Sequence, residues 1–301
     1  MGYPVQQSIR LFYFISLLAF LTWLISADFS YAEKIRQPVW AGKFYPESPS
    51  ELYETIHRLS QKADETAIRI PEKKSLKALI LPHAGYIYSG WTAAHAHSVL
   101  KNKQYERVIV MGVDHRIGFS NAAISDASFY RTPLGSITLD DDCVKLRSRP
   151  ELFRSVPASE SVEHSVEVVL PFLQYSLKNF KLIPIVFGRP DDYSSMVDIL
   201  AEKIDSKTLL VASSDLSHYL SYDKAVERDK ETIRMILKLE GKQLRSRENA
   251  ACGVIPISVV TSLADRFKWE PRLLHYSNSG DTAGSKDRVV GYAAIAFYGE
   301  N

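Results

Sequence analysis

A chain of 301 residues, 46% hydrophobic and 24% charged, carries enough apolar material for a sizeable folded core. Its formal charge of +2 offers neither nucleic acid nor an anionic membrane surface a basic patch to recognise. No internal repeat, low-complexity tract or long run of like charge interrupts the sequence.

The amino terminus has its own character. Residues 11–25 (LFYFISLLAFLTWLI) are almost wholly apolar, and Ser30 and Ala32 place small side chains where signal peptidase needs them. The run falls short of the ~20 residues that span a bilayer. Residues 1–32 therefore read as a signal peptide cut after Ala32, leaving residues 33–301 as one exported domain, periplasmic or otherwise extracytoplasmic. A retained membrane anchor is the alternative. Export bears on the two cysteines, because Cys143 and Cys252 could pair in an oxidising compartment or stay unrelated.

Residues 37–48 (QPVWAGKFYPES) form a proline-flanked aromatic segment, extended and packed on the domain, and residues 49–63 have the pattern of a charged amphipathic helix. Residues 79–90 (LILPHAGYIYSG) read as a buried strand ending at Pro82. A turn through Ala84 and Gly85 then presents His83, and a helix over 89–101 follows. That helix holds His95 and His97, which point about 200° apart and cannot chelate one ion together.

A second apolar run, residues 107–111 (RVIVM), is followed by GVDHR with His115. Residues 122–139 read as a β-hairpin beside the site, turning at 132–135. In residues 162–177 Glu163 and His164 precede an amphipathic helix for which Ser165 is a natural cap. Glu163 reads there as local charge and His164 as a further site candidate. A strand over 181–188 and a helix over 193–204 lead to the third run, residues 208–212 (TLLVA), followed by SSDLSH with Asp215 and His218. A charged helix over 222–239 comes next. Cys252 then lies at the start of an apolar helix, a setting that favours the thiolate. Strands over 272–278 and 288–299 close the chain. Alternating strands and helices predict a single α/β domain with a largely parallel central sheet flanked by helices.

If the three histidine-bearing runs are parallel neighbours, the residues after them converge at one sheet edge, where open α/β sheets hold ligands. Two imidazoles and a thiolate suit a first-row transition metal and leave coordination positions open. Asp215 and His218 then stand beside the open side as acid or base groups. A hydrolytic reading of Ser213, Ser214, Asp215 and His218 lacks a nucleophile elbow.

RQPVWAGKFYPESP, LPHAGYIYSG, ASFYRTPLGSITLD, EHSVEVVLPFLQ, LIPIVFG and SSDLSHYLSYDKA, in this order, resemble the Memo family, including the bacterial proteins called AmmeMemoRadiSam system protein B. The likeness runs from about Arg36 to the C-terminus. It implies the catalytic fold of the class III extradiol dioxygenases, which bind non-haem iron through two histidines and a carboxylate, with a cysteine in the carboxylate position. Carried over by motif, His83, His115 and Cys252 would be metal ligands, and His218 the acid/base group with Asp215 beside it. His164 would line the same pocket. The sequence departs from the family pattern before the second histidine, where GVDH places Asp114 as an added ligand or a charge that repels anions.

The resemblance implies iron first, with copper or zinc as alternatives, and a functional link to radical-SAM and AMMECR-like proteins. The leading expectation is an exported, metal-dependent redox protein or dioxygenase-like enzyme. A rival is a module binding a small molecule or peptide in the same pocket, rimmed by Tyr86, Tyr88 and Trp40. Zinc-dependent hydrolysis is the third reading.

Overall fold

The computed structural model describes residues 33–68 and 74–300, and the expected leader lies outside them. Among the described residues no helix is long and apolar enough to cross a membrane. The body Lys34–Asn301 is a single α/β domain.

Its strands, in chain order, are β1 (Ile35–Arg36), β2 (Ser75–Leu81), β3 (Arg107–Val113), β4 (Ala122–Ile124), β5 (Phe129–Thr132) and β6 (Gly135–Thr138). They continue with β7 (Phe153–Arg154), β8 (Lys181–Phe187), β9 (Thr208–Ser213), β10 (His218–Leu220), β11 (Glu270–Asn278) and β12 (Val289–Gly299). The main sheet runs β10-β12-β2-β9-β3-β8-β4-β7, with β11 on β12.

The centre of this sheet, β2, β9, β3 and β8, is parallel, and these strands are the continuous apolar runs of the sequence because both their faces are covered. The flanks bring in antiparallel pairs, β12 against β2, β11 and β10 against β12, and β4 against β8, while the edge strand β7 runs parallel to β4. The sheet is therefore mixed, and the short link from β11 to β12 explains one flank, since only antiparallel neighbours can be joined so briefly. The expected hairpin exists as β5 and β6. It joins β1 in a separate three-stranded sheet, while β4 enters the main one.

Two helices frame the site. Pro49–Asp64 starts at Ser48, whose hydroxyl accepts from the Glu51 amide, and buries Leu52, Ile56, Ser60 and Ala63 along one stripe. Tyr86–Leu100 begins three residues earlier than the sequence suggested. Its first amide, Tyr86 N–H, donates to the Phe44 carbonyl at 2.8 Å, so the aromatic segment supplies the cap that no side chain provides. The apolar helix beyond Cys252 is Val254–Phe267.

Candidate metal centre

β2, β9 and β3 are adjacent and parallel, so the loops leaving their carboxyl ends meet. His83 follows β2, His115 follows β3, and Ser214 to His218 follow β9. His164 arrives in the loop before the short helix Leu170–Ser176. Gly112 is what lets that loop approach, because a Cβ there would stand 2.3 Å from Ser165 Oγ. Ser165 does not cap a helix as expected. Its hydroxyl donates to Val113 O at 2.9 Å and accepts from Val113 N at 3.0 Å, which pins the His164 loop to the end of β3.

The result is a cluster of three imidazoles. One ligand nitrogen from each of His83, His115 and His164 lies within 4.8 Å of the other two. The ring centroids are 5.2 Å apart for His83 and His115, 5.2 Å for His83 and His164, and 4.5 Å for His115 and His164.

Each ring is oriented from behind. Ser213 Oγ donates to Ser165 O at 2.5 Å, so it accepts from His83 Nδ1 at 2.9 Å, and the His83 Nε2 lone pair faces Cys252 Sγ at 3.3 Å. Glu163 Oε1 accepts from His115 Nδ1 at 3.0 Å while Oε2 accepts from His115 N at 2.8 Å, which leaves His115 Nε2 free. The same carboxylate takes the amides of His164 at 2.9 Å and Ser165 at 2.7 Å. His164 Nδ1 is 3.2 Å from Glu163 Oε1 but off the hydrogen-bonding direction, so this buried nitrogen has no hydrogen-bond partner.

Burial, reinforced by the charges of His164, His115 and His218, holds His83 well below the ordinary histidine range. Burial also lowers His164 to about 4, with Glu163 opposing and His115 and Arg116 assisting. For Glu163, burial alone would raise the carboxyl, but the hydrogen bond from His115 and the charges of His164 and His115 prevail and bring it to about 2.

Cys252 lies against one side of this cluster, its Sγ 3.3 Å from His83 Nε2. Sγ accepts from Asp215 N at 3.3 Å, and the neighbouring Gly253 amide donates to Ser214 Oγ at 2.9 Å. A Cβ at Gly253 would come within 2.6 Å of the Ser214 Cβ, so glycine is what allows this approach. The helix start does not favour the thiolate here. Burial, with Asp215 nearby, pushes the thiol up to about 12.

Both cysteines are free. Cys143 sits on the helix Asp142–Arg147 with its thiol 3.7 Å from Leu182 O at the amino end of β8, whereas Cys252 lies beyond the carboxyl ends of β2 and β9. Nearly a strand length, roughly 20 Å, separates the two ends, and a disulfide needs Cα atoms within about 7 Å.

The remaining expected site residues divide. His218 Nδ1 donates to Leu216 O at 2.8 Å, leaving Nε2 as the basic nitrogen. Its backbone is clamped to the Asn249 amide in both directions. Asp215 is buried, and its Oδ1 accepts from His83 N at 2.9 Å and Ala84 N at 3.3 Å, so it fastens the His83 turn. Burial raises this carboxyl above the usual range.

Asp114 faces its own loop, accepting from Ile117 N and Gly118 N and from Ser159 Oγ at 2.6 Å. Tyr86 is no rim residue: it is buried against Tyr45 and Phe172 and donates to Val168 O at 2.8 Å. Trp40 does reach the site, 5.6 Å from the His164 ring, and Phe44 lies closer at 4.8 Å. His95 and His97 turn to separate partners, Trp91 O and Ser176 Oγ.

A family model described as Memo-like protein matches residues 36–296. The chain belongs to the Memo family. MEMO1 family proteins of Sulfolobus acidocaldarius, Methanosarcina barkeri and Methanosarcina mazei are 36%, 34% and 33% identical to it. Each alignment covers 87% of this chain and 98–99% of the relative. These relatives are archaeal.

Within this Memo chain the donor set fits a transition metal. Two imidazoles are anchored through Nδ1, a third buried imidazole nitrogen lacks a hydrogen-bond partner, and a sulfur lies against His83. The sequence reading missed Glu163 as the residue behind His115, and Glu167 altogether. Glu167 is fully buried and takes Arg36 Nη1 at 2.5 Å, Tyr45 Oη at 2.6 Å, Trp40 N at 2.8 Å and Val39 N at 3.1 Å, which holds the aromatic segment over His164. Glu167 standing among the valines of EHSVEVV was the available signal.

Proposed function

We propose that this Memo protein is a metal-dependent redox protein that holds iron, or copper, at the sheet edge and acts on a small substrate. His83, His115 and His164 supply nitrogen donors and Cys252 a sulfur donor beside His83. The observation that carries the reading is the convergence of three imidazole ligand nitrogens within 4.8 Å of one another. When bound, such an ion supplies the Lewis acidity and one-electron chemistry that protein side chains lack.

The chain's own residues do the rest. Ser213 and Glu163 present the ligand nitrogens in the correct tautomer, and Asp215 fixes the His83 turn against the Cys252 loop. Trp40, held by Glu167, and Phe44, whose amide donates to Trp40 O, cover the His164 ring with apolar surface. His218, with its Nδ1 proton committed to a carbonyl, takes or gives a proton at Nε2. That assigns His218 proton transfer and leaves Asp215 a positioning role.

Metal analysis of the full chain purified anaerobically without an affinity tag should return near-stoichiometric iron or copper. The His83→Ala and His115→Ala chains should hold almost none, while melting as folded proteins. Zinc alone, with no oxygen uptake in the presence of a reductant, would overturn the redox reading in favour of hydrolysis.

A further inference from the structure

Resting on that reading, the geometry points to a substrate anchored by a terminal oxyanion, a carboxylate or a phosphate, in the cavity between Arg116 and Arg189. This cavity has a volume of about 180 Å³ and is walled by Asp114, His115, Arg116, Ile117, Gly188 and Arg189. His115 belongs both to this wall and to the imidazole cluster, so a group held here is separated from the proposed metal position by that one side chain. Whole small-molecule sites run to roughly 300–1,000 Å³. The cavity is thus sized for one end group, with the remainder of the substrate reaching past His115.

The charge of the cavity follows from how the loop is built. Asp114 is its one acidic residue, and that carboxylate is committed to Ile117 N at 2.9 Å, Gly118 N at 2.7 Å and Ser159 Oγ at 2.6 Å. The departure from the family pattern at GVDH therefore shapes the loop, and its single negative charge is outnumbered by the two arginines on the same wall. Among the described residues neither guanidinium has a carboxylate within ion-pair distance. Arg116 instead lies 4.8 Å over the Trp40 ring.

Stacking of that kind holds a guanidinium in place while its in-plane N–H fork stays free, which is the arrangement that grips a planar oxyanion. Trp40 is itself fixed, its indole donating to Val162 O at 3.1 Å and its amide to Glu167. Arg116 is thus oriented from behind much as the ligand histidines are. Two exposed arginines on a surface loop are ordinarily a solvated face. Here they share a concave wall with a metal-ligand candidate, which gives their charge a target.

The test follows arginine Nε–H signals of the full chain by NMR while inorganic phosphate, propionate or neutral propionamide is added, with metal content measured in parallel. The signals lost in Arg116→Met and Arg189→Met identify the two residues. Both should shift saturably with at least one anion and not with propionamide, and each variant should bind that anion at least tenfold more weakly with unchanged metal content. Tighter phosphate binding assigns a phosphorylated substrate, and tighter propionate binding assigns a carboxylate. Shifts with propionamide, or none with either anion, would overturn the proposal. Loss of metal from the arginine variants would do so as well, by making these residues part of the metal centre. Anion binding by a chain that takes up no metal would leave the subsite standing and remove the redox reading.

Discussion

Replacing Glu163 by Gln tests how the proposed metal centre is preorganised. The carboxylate is nearly inaccessible and accepts four N–H groups, from His115 twice and from the amides of His164 and Ser165. An amide offers only one acceptor oxygen, so at least one of those donors must face an NH₂ group. The folded protein holds this carboxyl at about 2 against an ordinary 4.5. At about 1.4 kcal/mol per pH unit, that depression corresponds to about 3 kcal/mol of stability. For a domain of this size the substitution should lower Tm by roughly 6–12 °C in chelator-treated protein. Loss of a carboxylate behind a ligand histidine should also weaken metal binding by about 10–100-fold in chelator competition. Because the folded carboxyl is the stronger acid, wild-type stability from this source is complete above pH ~4.5 and lost as pH falls toward ~2. The variant should lack that segment of the pH dependence. A Tm within 1 °C of wild type together with unchanged metal affinity would refute the reasoning.

Three further outcomes follow. Glu167→Ala leaves the buried Arg36 guanidinium without its anion, which costs about 3–5 kcal/mol, and thermal melts should fall by about 6–20 °C; an unchanged melt would show that water replaces the carboxylate at no cost. Cys252, with its thiol pushed up to about 12 by burial, should resist iodoacetamide at pH 7.5 in metal-free folded protein and react only on unfolding. Rapid native labelling would contradict the raised pKa of that thiol. Intact mass and N-terminal sequencing of protein expressed from Met1 onward should find Glu33 first, and a chain retaining Met1 would remove the cleaved-leader expectation in favour of the membrane anchor.

The central strands and the meeting of His83 with His115 were legible because buried parallel strands are uninterrupted apolar runs and their loops inherit a common edge. What escaped the sequence was whatever depends on contacts across long separations. Glu163 looks like local charge until His115, 48 positions away, is seen to need its carboxylate. Ser165 looks like a helix cap until Gly112 admits it against β3. The expectation of a thiolate at Cys252 weighed the helix start and lacked the burial that outweighs it. Tyr86 reads as a rim aromatic from its neighbours, yet its phenol is spent on Val168 O inside the core. The antiparallel flanks likewise depend on which strands β12 chooses, and no single segment's pattern reveals that.

The central claim is that His83, His115, His164 and Cys252 form one metal centre, and X-ray absorption at the edge of the bound metal tests it most directly. The account predicts a first shell with imidazole nitrogens at about 2.0–2.1 Å and one sulfur near 2.3 Å, the sulfur disappearing in Cys252→Ala. A shell of oxygens alone, or a spectrum unaltered when His83 is replaced, would contradict it.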